Sequence, residues 1–356
     1  MHMQKTSVEI WQRAGEFDST LRDRHLDSRR LQLKRLRPMR YSRSLLFARM
    51  AQGLPVVFSD MPLPMVEGRV DMPESIIDSL RSGLPKSAFA RGQFGPARTI
   101  RRLPIVSVLD RWESGRSVFG VTDLHFRGTA FEKRVDTSGL SSFNLLLECS
   151  RESSRLEMMT LVISTDGNVT DSHSDDSDGS NHCFEGLKLW LAWDRSEGQL
   201  RGLEDASHDD VRDRASFDLR AFLSLSSARW FVVSQGQTLF LPGNLTHKVV
   251  TVEKYLGLGS FHLALPSSPE TIARWILDNP RDVDASILTD VCRVIRNKIC
   301  QCDGAPSDER DRWGLDYLAI GLASALRRRT SAERELLWCH SAFARTFNVR
   351  HRAIRD

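Results

Sequence analysis

Between Leu161 and Trp193 the chain reads LVISTDGNVTDSHSDDSDGSNHCFEGLKLWLAW. Its last seven residues alternate, with Leu187, Leu189, Leu191 and Trp193 set against Lys188, Trp190 and Ala192. Successive side chains of a strand point to opposite faces, so this run predicts a strand with one wholly apolar face. Lys188 lies on the other face, beside a tryptophan. A second strand is predicted at MMTLVIS (158–164), and the polar connection between the two carries six acids and no Lys or Arg. The pair requires a β core rather than a helical bundle.

The rest of the chain extends that core and then changes character. RWFVV (229–233), TLFLP (238–242), HKVVTV (247–252) and LGLGSFHLAL (256–265) read as further short strands, separated by Gly- and Asn-containing turns. IVSVL (105–109) and SVFGVTDLHF (117–126) also read as β, VVFSD (56–60) as a strand, and SSFNLLLEC (141–149) as either helix or strand. Residues 7–37 read as one charged helix ending at Pro38, residues 44–52 as a short helix, and PESIIDSLRSGLP (73–85) as a helix with a Pro start and a Gly-Leu-Pro stop. AFLSLS, within 194–228, reads as a helix after a loop. Beyond Pro266, ETIARWILDN, DASILTDVCRVIRNKIC, RWGLDYLAIGLASALRRR and SAERELLWCHSAFARTF all have helical spacing. The expected fold is α+β, mainly β with helices. It comprises a basic helical N-terminal region (1–99), a β core (100–265) and a C-terminal helical region (266–356). Many short strands with an inward-facing histidine suit a closed or sandwiched β fold better than a parallel α/β sheet.

Composition narrows the function classes. No apolar run approaches the ~20 residues that span a bilayer, and no secretory signal pattern opens the chain, so no membrane partner is expected. A cytoplasmic or nuclear location follows as an expectation. Six cysteines in 356 residues make no disulfide framework, and no CxxC pair occurs. Cys300-x-Cys302 and Cys339-His340 have irregular spacing for zinc. The net charge of +4 does not imply nucleic acid, although residues 1–50 hold 12 Lys/Arg against 5 Asp/Glu. That basic stretch is either a solvated helical face or an arm for an acidic partner.

The polar connection carries the chemistry. His173 and Asp175 are two apart, so on an extended segment both face the same way and can meet one ion. His247 opens an apolar strand after a Pro-Gly turn. Two histidines and one carboxylate form the facial triad that holds non-haem Fe(II) while leaving positions open for substrate and oxygen. Calcium is the rival reading, because Ser174, Asp176, Asp178 and Glu185 fall at EF-hand positions around Gly179. An EF-hand needs helices on both sides, and here both flanks alternate as strands. His182 and Cys183 read as bystanders.

GNVTDSHSD, followed by Asn181 and Lys188 in GSNHCFEGLKLW and by QGQTLFLPGNLTHKVV, resembles the JmjC-domain Fe(II)/2-oxoglutarate oxygenases. The match is closest to their protein-hydroxylase branch and covers roughly residues 100–265. The resemblance implies a double-stranded β-helix (cupin or jelly-roll) core, with His173, Asp175 and His247 as iron ligands and 2-oxoglutarate as co-substrate. It implies that Thr170 and Lys188 hold the distal carboxylate of 2-oxoglutarate and that Asn181 lies near its metal-binding end. The aromatic residue expected upstream has only Phe119 and Phe126 as candidates, neither with a hydroxyl. Ser260 and His262 are both in range for the polar residue after the distal histidine. The activity implied is hydroxylation of a protein side chain. Alternatives are a JmjC-type histone lysine demethylase, a small-molecule hydroxylase and a catalytically silent cupin-like binding protein. The acids Asp171, Asp176 and Asp178 suggest a basic peptide as substrate, and the C-terminal helices are a candidate homodimer surface. Nucleic acid is not expected as a direct substrate.

Overall fold

The alternating run at 187–193 lies within the long strand Asp178–Asp194, near the middle of an antiparallel sheet. The structure is a computed structural model that describes residues 6–22, 28–61, 73–95, 98–135, 142–149, 159–203, 217–243, 245–277 and 285–351. Its strands are β1 (Val56–Phe58), β2 (Phe89–Phe94), β3 (Thr99–Pro104), β4 (Phe119–Leu124) and β5 (Met159–Ser164), then β6 (Val169–Ser174), β7 (Asp178–Asp194), β8 (Arg229–Ser234), β9 (Thr238–Leu241) and β10 (Leu245–His262). They form one sheet in the order β1-β9-β7-β10-β5-β4-β2-β3, with β6 also on β10 and β8 also on β7. The architecture is therefore mixed α+β, with a large antiparallel sheet and helices at the C-terminal end.

The two longest strands each serve two sets of neighbours. The first part of β7 pairs with β9 (Asn181 opposite Leu239), and its second part pairs with β8 (Lys188 opposite Val233). β10 pairs with β6 through Thr246–Val250 and with β5 through Tyr255–Ser260. Between those halves both strands are irregular. Gly186 stands at the break in β7 with φ +92°, and a Cβ there would lie 1.9 Å from the carbonyl oxygen of Lys254. Only glycine fits both that backbone and that approach.

The sheet buries both faces. Leu187, Leu189, Leu191 and Trp193 pack with Ile10, Trp11 and Ala14 of the N-terminal helix Ser7–Phe17. Trp190 and Ala192 face the other way and pack with Phe231, Val233, Val249 and Tyr255. The helices Ser268–Leu277, Ala285–Asp303 and Leu315–Arg327 form a third cluster against Leu145, Leu146, Leu263 and Leu265. They thus bury apolar surface mainly on one another and on the segments beside β10.

Several local expectations need correction. IVSVL (105–109) is not a strand but the start of the helix Ile105–Ser114. Ile105, Val108, Leu109 and Trp112 are all buried, which is helical spacing over a window longer than five residues. Pro104 precedes that helix, and Gly115 in the left-handed region ends it. The single helix expected over 7–37 is instead Ser7–Phe17, a 3-10 turn at Ser19–Leu21 and Ser28–Lys34, with 23–27 outside the described residues. The ambiguous SSFNLLLEC contains the 3-10 turn Leu145–Glu148. The hairpin β2–β3 was not legible, because AFARGQF and TIRRLP have little apolar alternation. Likewise, the acidic connection is mostly strand, with only Asp175, Asp176 and Ser177 between β6 and β7.

Gly186→Ala is expected to cost on the order of 3 kcal/mol, since the added methyl meets a backbone oxygen and the φ is unfavourable to any L side chain. A thermal melt that shows Gly186→Ala as stable as the unmodified protein would contradict this account of the β7 break.

Candidate metal centre

The site is built by the register of β6 against β10. His173 stands directly opposite His247, and the two rings lie 4.2 Å apart between centroids. His173 Nε2 is 3.9 Å from Asp175 Oδ1, and His247 Nε2 is 3.8 Å from Asp175 Oδ2. One donor atom from each residue falls within 4.8 Å of the others. Among the described residues this is the only cluster of three His, Cys, Asp or Glu side chains arranged to hold a metal. Cys300, Cys302, Cys339 and His340 form no such group there.

Backbone contacts orient both imidazoles. The Nδ1–H of His173 donates to the carbonyl of Asp171 at 2.8 Å, and that of His247 points to the carbonyl of Leu245 at 3.4 Å. A proton held on Nδ1 leaves the lone pair on Nε2, the nitrogen that faces Asp175. Asp175 follows the end of β6 and is part-exposed, while His247 is buried, so the donor set opens on the Asp175 side.

A bulge places Thr170 in the same site. Simple alternation puts residues 170 and 173 on opposite faces. Opposite β10, however, the step from His247 to Val249 spans two residues while that from His173 to Thr170 spans three. The extra residue in β6 restores the face. Thr170 and His173 therefore share a face with His247, Val249 and Thr251, whose partners on β7 are Ala192, Trp190 and Lys188. The ring of Trp190 is 5.5 Å from that of His247.

Lys188 is 4% exposed, and among the described residues no carboxylate pairs with it. Its ammonium lies 4.3 Å from the centroid of the Tyr255 ring. Burial pulls its pKa down to about 7, with Cys183 opposing the shift. A buried cation without a counter-charge is costly, and a bound carboxylate removes that cost. Tyr255 in turn donates a hydrogen bond to Asn181 Oδ1. Burial holds the Tyr255 phenol well above its ordinary value and pushes the Cys183 thiol up to about 12, so both are neutral.

The structure thus places Asn181 beside Tyr255, in the group that includes Lys188. Tyr255 is the residue that sequence reasoning missed. Phe119 and Phe126 belong to a different cluster, with Phe94, Phe131 and Leu161, and supply no group here. The sequence signal for Tyr255 is slight: it is one of three tyrosines, in a run otherwise rich in Leu and Gly. His262 is buried with Nε2 on Ser180 Oγ at 2.7 Å, and its pKa is drawn down by burial to about 3, so it is a neutral residue packed beside Phe143 and Phe240. His182 bonds Thr238 at 2.8 Å and is likewise neutral, its pKa lowered by burial to about 4.

The acidic connection does not point to a basic substrate. Asp171 pairs with Arg98 at 2.6 Å and Lys248 at 3.1 Å. Asp178 is buried and accepts from the Ser267 hydroxyl and the backbone N–H of Gly243. Asp171 and Asp178 are thus engaged within the fold, and Asp176 alone of the three faces solvent.

No family model matches this chain, and no curated protein matches it either. The site therefore rests on its own geometry.

Lys188 titrates near 7 when folded and near the ordinary 10.5 when unfolded, so between those values the unfolded chain binds the extra proton. Its contribution to the stability of the ligand-free protein therefore rises from pH 7 towards 10.5, falls as pH drops from 10.5 to 7, and is level below 7. Lys188→Met is expected to remove that slope and raise the melting temperature at pH 7. A Lys188→Met protein with the same melting temperature and the same pH slope as the parent would show that the lysine is not an uncompensated buried charge.

Proposed function

We propose that this chain is an Fe(II)- and 2-oxoglutarate-dependent dioxygenase that hydroxylates a protein side chain, releasing succinate and CO2. The observation that carries the reading is the shared face of two unlike features. A His-Asp-His donor set stands at one end, and a buried lysine with no carboxylate partner among the described residues stands further along the same strands. A metal site alone has no use for the second feature. A dicarboxylate that chelates a metal through one end and ends in a distant carboxylate uses both.

The donor set suits iron. The two imidazoles and one carboxylate would hold Fe(II) while leaving coordination positions open. Bound there, Fe(II) with 2-oxoglutarate supplies the oxidising chemistry that places an oxygen atom from O2 on a substrate C–H bond. The chain's own residues do the positioning. Lys188 holds the far carboxylate as a charge-assisted pair in a water-poor setting. Thr170, on the same face, supports that carboxylate through its hydroxyl. Tyr255 covers the ammonium with its ring and fixes the Asn181 amide beside it.

The pairing of the sheet supports reading the core as a double-stranded β-helix of the cupin or jelly-roll type. β7 and β10 each change neighbours midway, as strands do that cross from one wall of a rolled sheet to the other. Such a core places His173, Asp175 and His247 at one end of the roll. A metal-binding cupin without a co-substrate is the rival reading, and the solitary buried charge of Lys188 argues against it.

Succinate formation from 2-oxoglutarate under air is the direct test. The parent protein with Fe(II) is expected to form succinate even without a substrate, at the slow rate of an uncoupled reaction. His173→Ala and Asp175→Ala are expected to lose it, and Lys188→Met to raise the 2-oxoglutarate concentration needed by at least about tenfold. Unchanged succinate formation in both ligand variants would remove the proposal.

A further inference from the structure

We propose that a buried ion cluster behind the sheet, Asp18–Lys248–Asp171–Arg98, sets the geometry of the metal centre, with Lys248 and Asp171 as positioning residues. The proposal rests on the metal-centre reading above and adds the means by which the N-terminal helix controls it.

Lys248 and Asp171 each lie close in the chain to a metal ligand, and Asp18 and Arg98 pair with them. Lys248 directly follows His247, and Asp171 lies two residues before His173. The Lys248 ammonium is 2.9 Å from Asp18 Oδ2 and 3.1 Å from Asp171 Oδ1. Arg98 reaches the same Asp171 oxygen at 2.6 Å. Lys248 and Asp18 are 2% and 4% exposed, so this is an interior cluster rather than a surface ion pair. Asp18 is further held by Thr20, which donates to it through its backbone N–H at 3.0 Å and its hydroxyl at 2.8 Å. Burial opposes the Asp18 charge, but Lys248 and Thr20 more than offset it and hold the carboxyl below its ordinary value.

The cluster sits where the β6–β10 pairing is interrupted. Between His247 and Val249 the β6–β10 register shifts, and Lys248 occupies that gap on β10 while Asp171 is in the extra length of β6. A bulge interrupts the ladder and bends the strand, so backbone hydrogen bonds do not hold the two strands together there. The Lys248–Asp171 pair spans the interruption from the face opposite the metal ligands. The Asp171 carbonyl is also the acceptor for His173 Nδ1–H. Fixing the Asp171 side chain therefore fixes the peptide group that aims His173. Asp18, just beyond the helix Ser7–Phe17, carries the same constraint to the helix packed on that face.

Simple stability does not require this arrangement. Apolar residues of similar size often replace a buried ion pair without loss, so fold stability alone does not account for this one. Here the geometry fixed is the approach of two imidazoles to one ion.

The test compares Lys248→Met and Asp18→Asn with the full-length parent. Mn(II) and Co(II) affinity is read by calorimetry on folded protein, together with the visible spectrum of bound Co(II) and the melting temperature. Lys248→Met is expected to weaken metal binding by about tenfold or more and to change the Co(II) spectrum, as loss of a group orienting a ligand does. Asp18→Asn keeps the Thr20 contacts and the Lys248–Asp171 pair. It is expected to fold and to weaken binding by a few-fold, and it carries the test if Lys248→Met does not fold. A variant that melts lower yet binds Co(II) with parental affinity and spectrum overturns the proposal, because the cluster would then be structural only. A parent protein that binds neither ion overturns the metal-centre reading itself, which is a different result.

Discussion

Everything in this site depends on one pairing, that of β6 with β10. His173 opposite His247 sets the distance between two imidazoles, and the next step of the register sets the face of Thr170. Without the extra residue in β6, Thr170 would point into the cluster around the N-terminal helix, and the face shared with Lys188 would lose its hydroxyl. With it, ligands from two strands and a cation from a third converge on one surface. The ion cluster behind the sheet stands at the same interruption, so this break in the ladder is also tied by charge. β-Bulges commonly mark functional positions for this reason: they re-aim side chains that regular alternation would separate.

The charge distribution is divided by face. In front, Lys188 is a cation in a nearly apolar setting, lowered by burial to about 7 and covered by the Tyr255 ring. Behind, Lys248 is equally buried but has two carboxylates. The contrast between two lysines of similar burial indicates which one waits for an anion. Of the neighbouring acids, Asp171 on β6 balances Arg98 and Lys248, and Asp178 anchors the start of β7.

Much of this was legible in the sequence where the relevant spacing is local. The alternation at 187–193 gave both the strand and the face of Lys188. His173 and Asp175 are two apart on an extended segment, and His247 opens a strand, so the donor set followed from spacing and residue type. Other features depend on distant parts of the chain meeting. Tyr255 reaches Asn181 and Lys188 only through the shifted register of β10 on β7, which no local pattern encodes. The partners of Asp171 come from residues 98 and 248, so a loop read as free acid is in fact neutralised. IVSVL looked β-like over five residues, but its helical face appears only when Trp112 is included. The hairpin β2–β3 carries arginines and glycine where alternation would have marked a strand.

The central claim is that one site binds a metal and a dicarboxylate together. Its most direct test is an anaerobic titration of the protein with Fe(II) and 2-oxoglutarate, followed by visible absorption. The account predicts a weak charge-transfer band that needs both components, saturates at one equivalent of iron and is lost in His173→Ala. The same band should require a far higher 2-oxoglutarate concentration in Lys188→Met. No band with the parent protein, or a band of equal strength in His173→Ala, would contradict it.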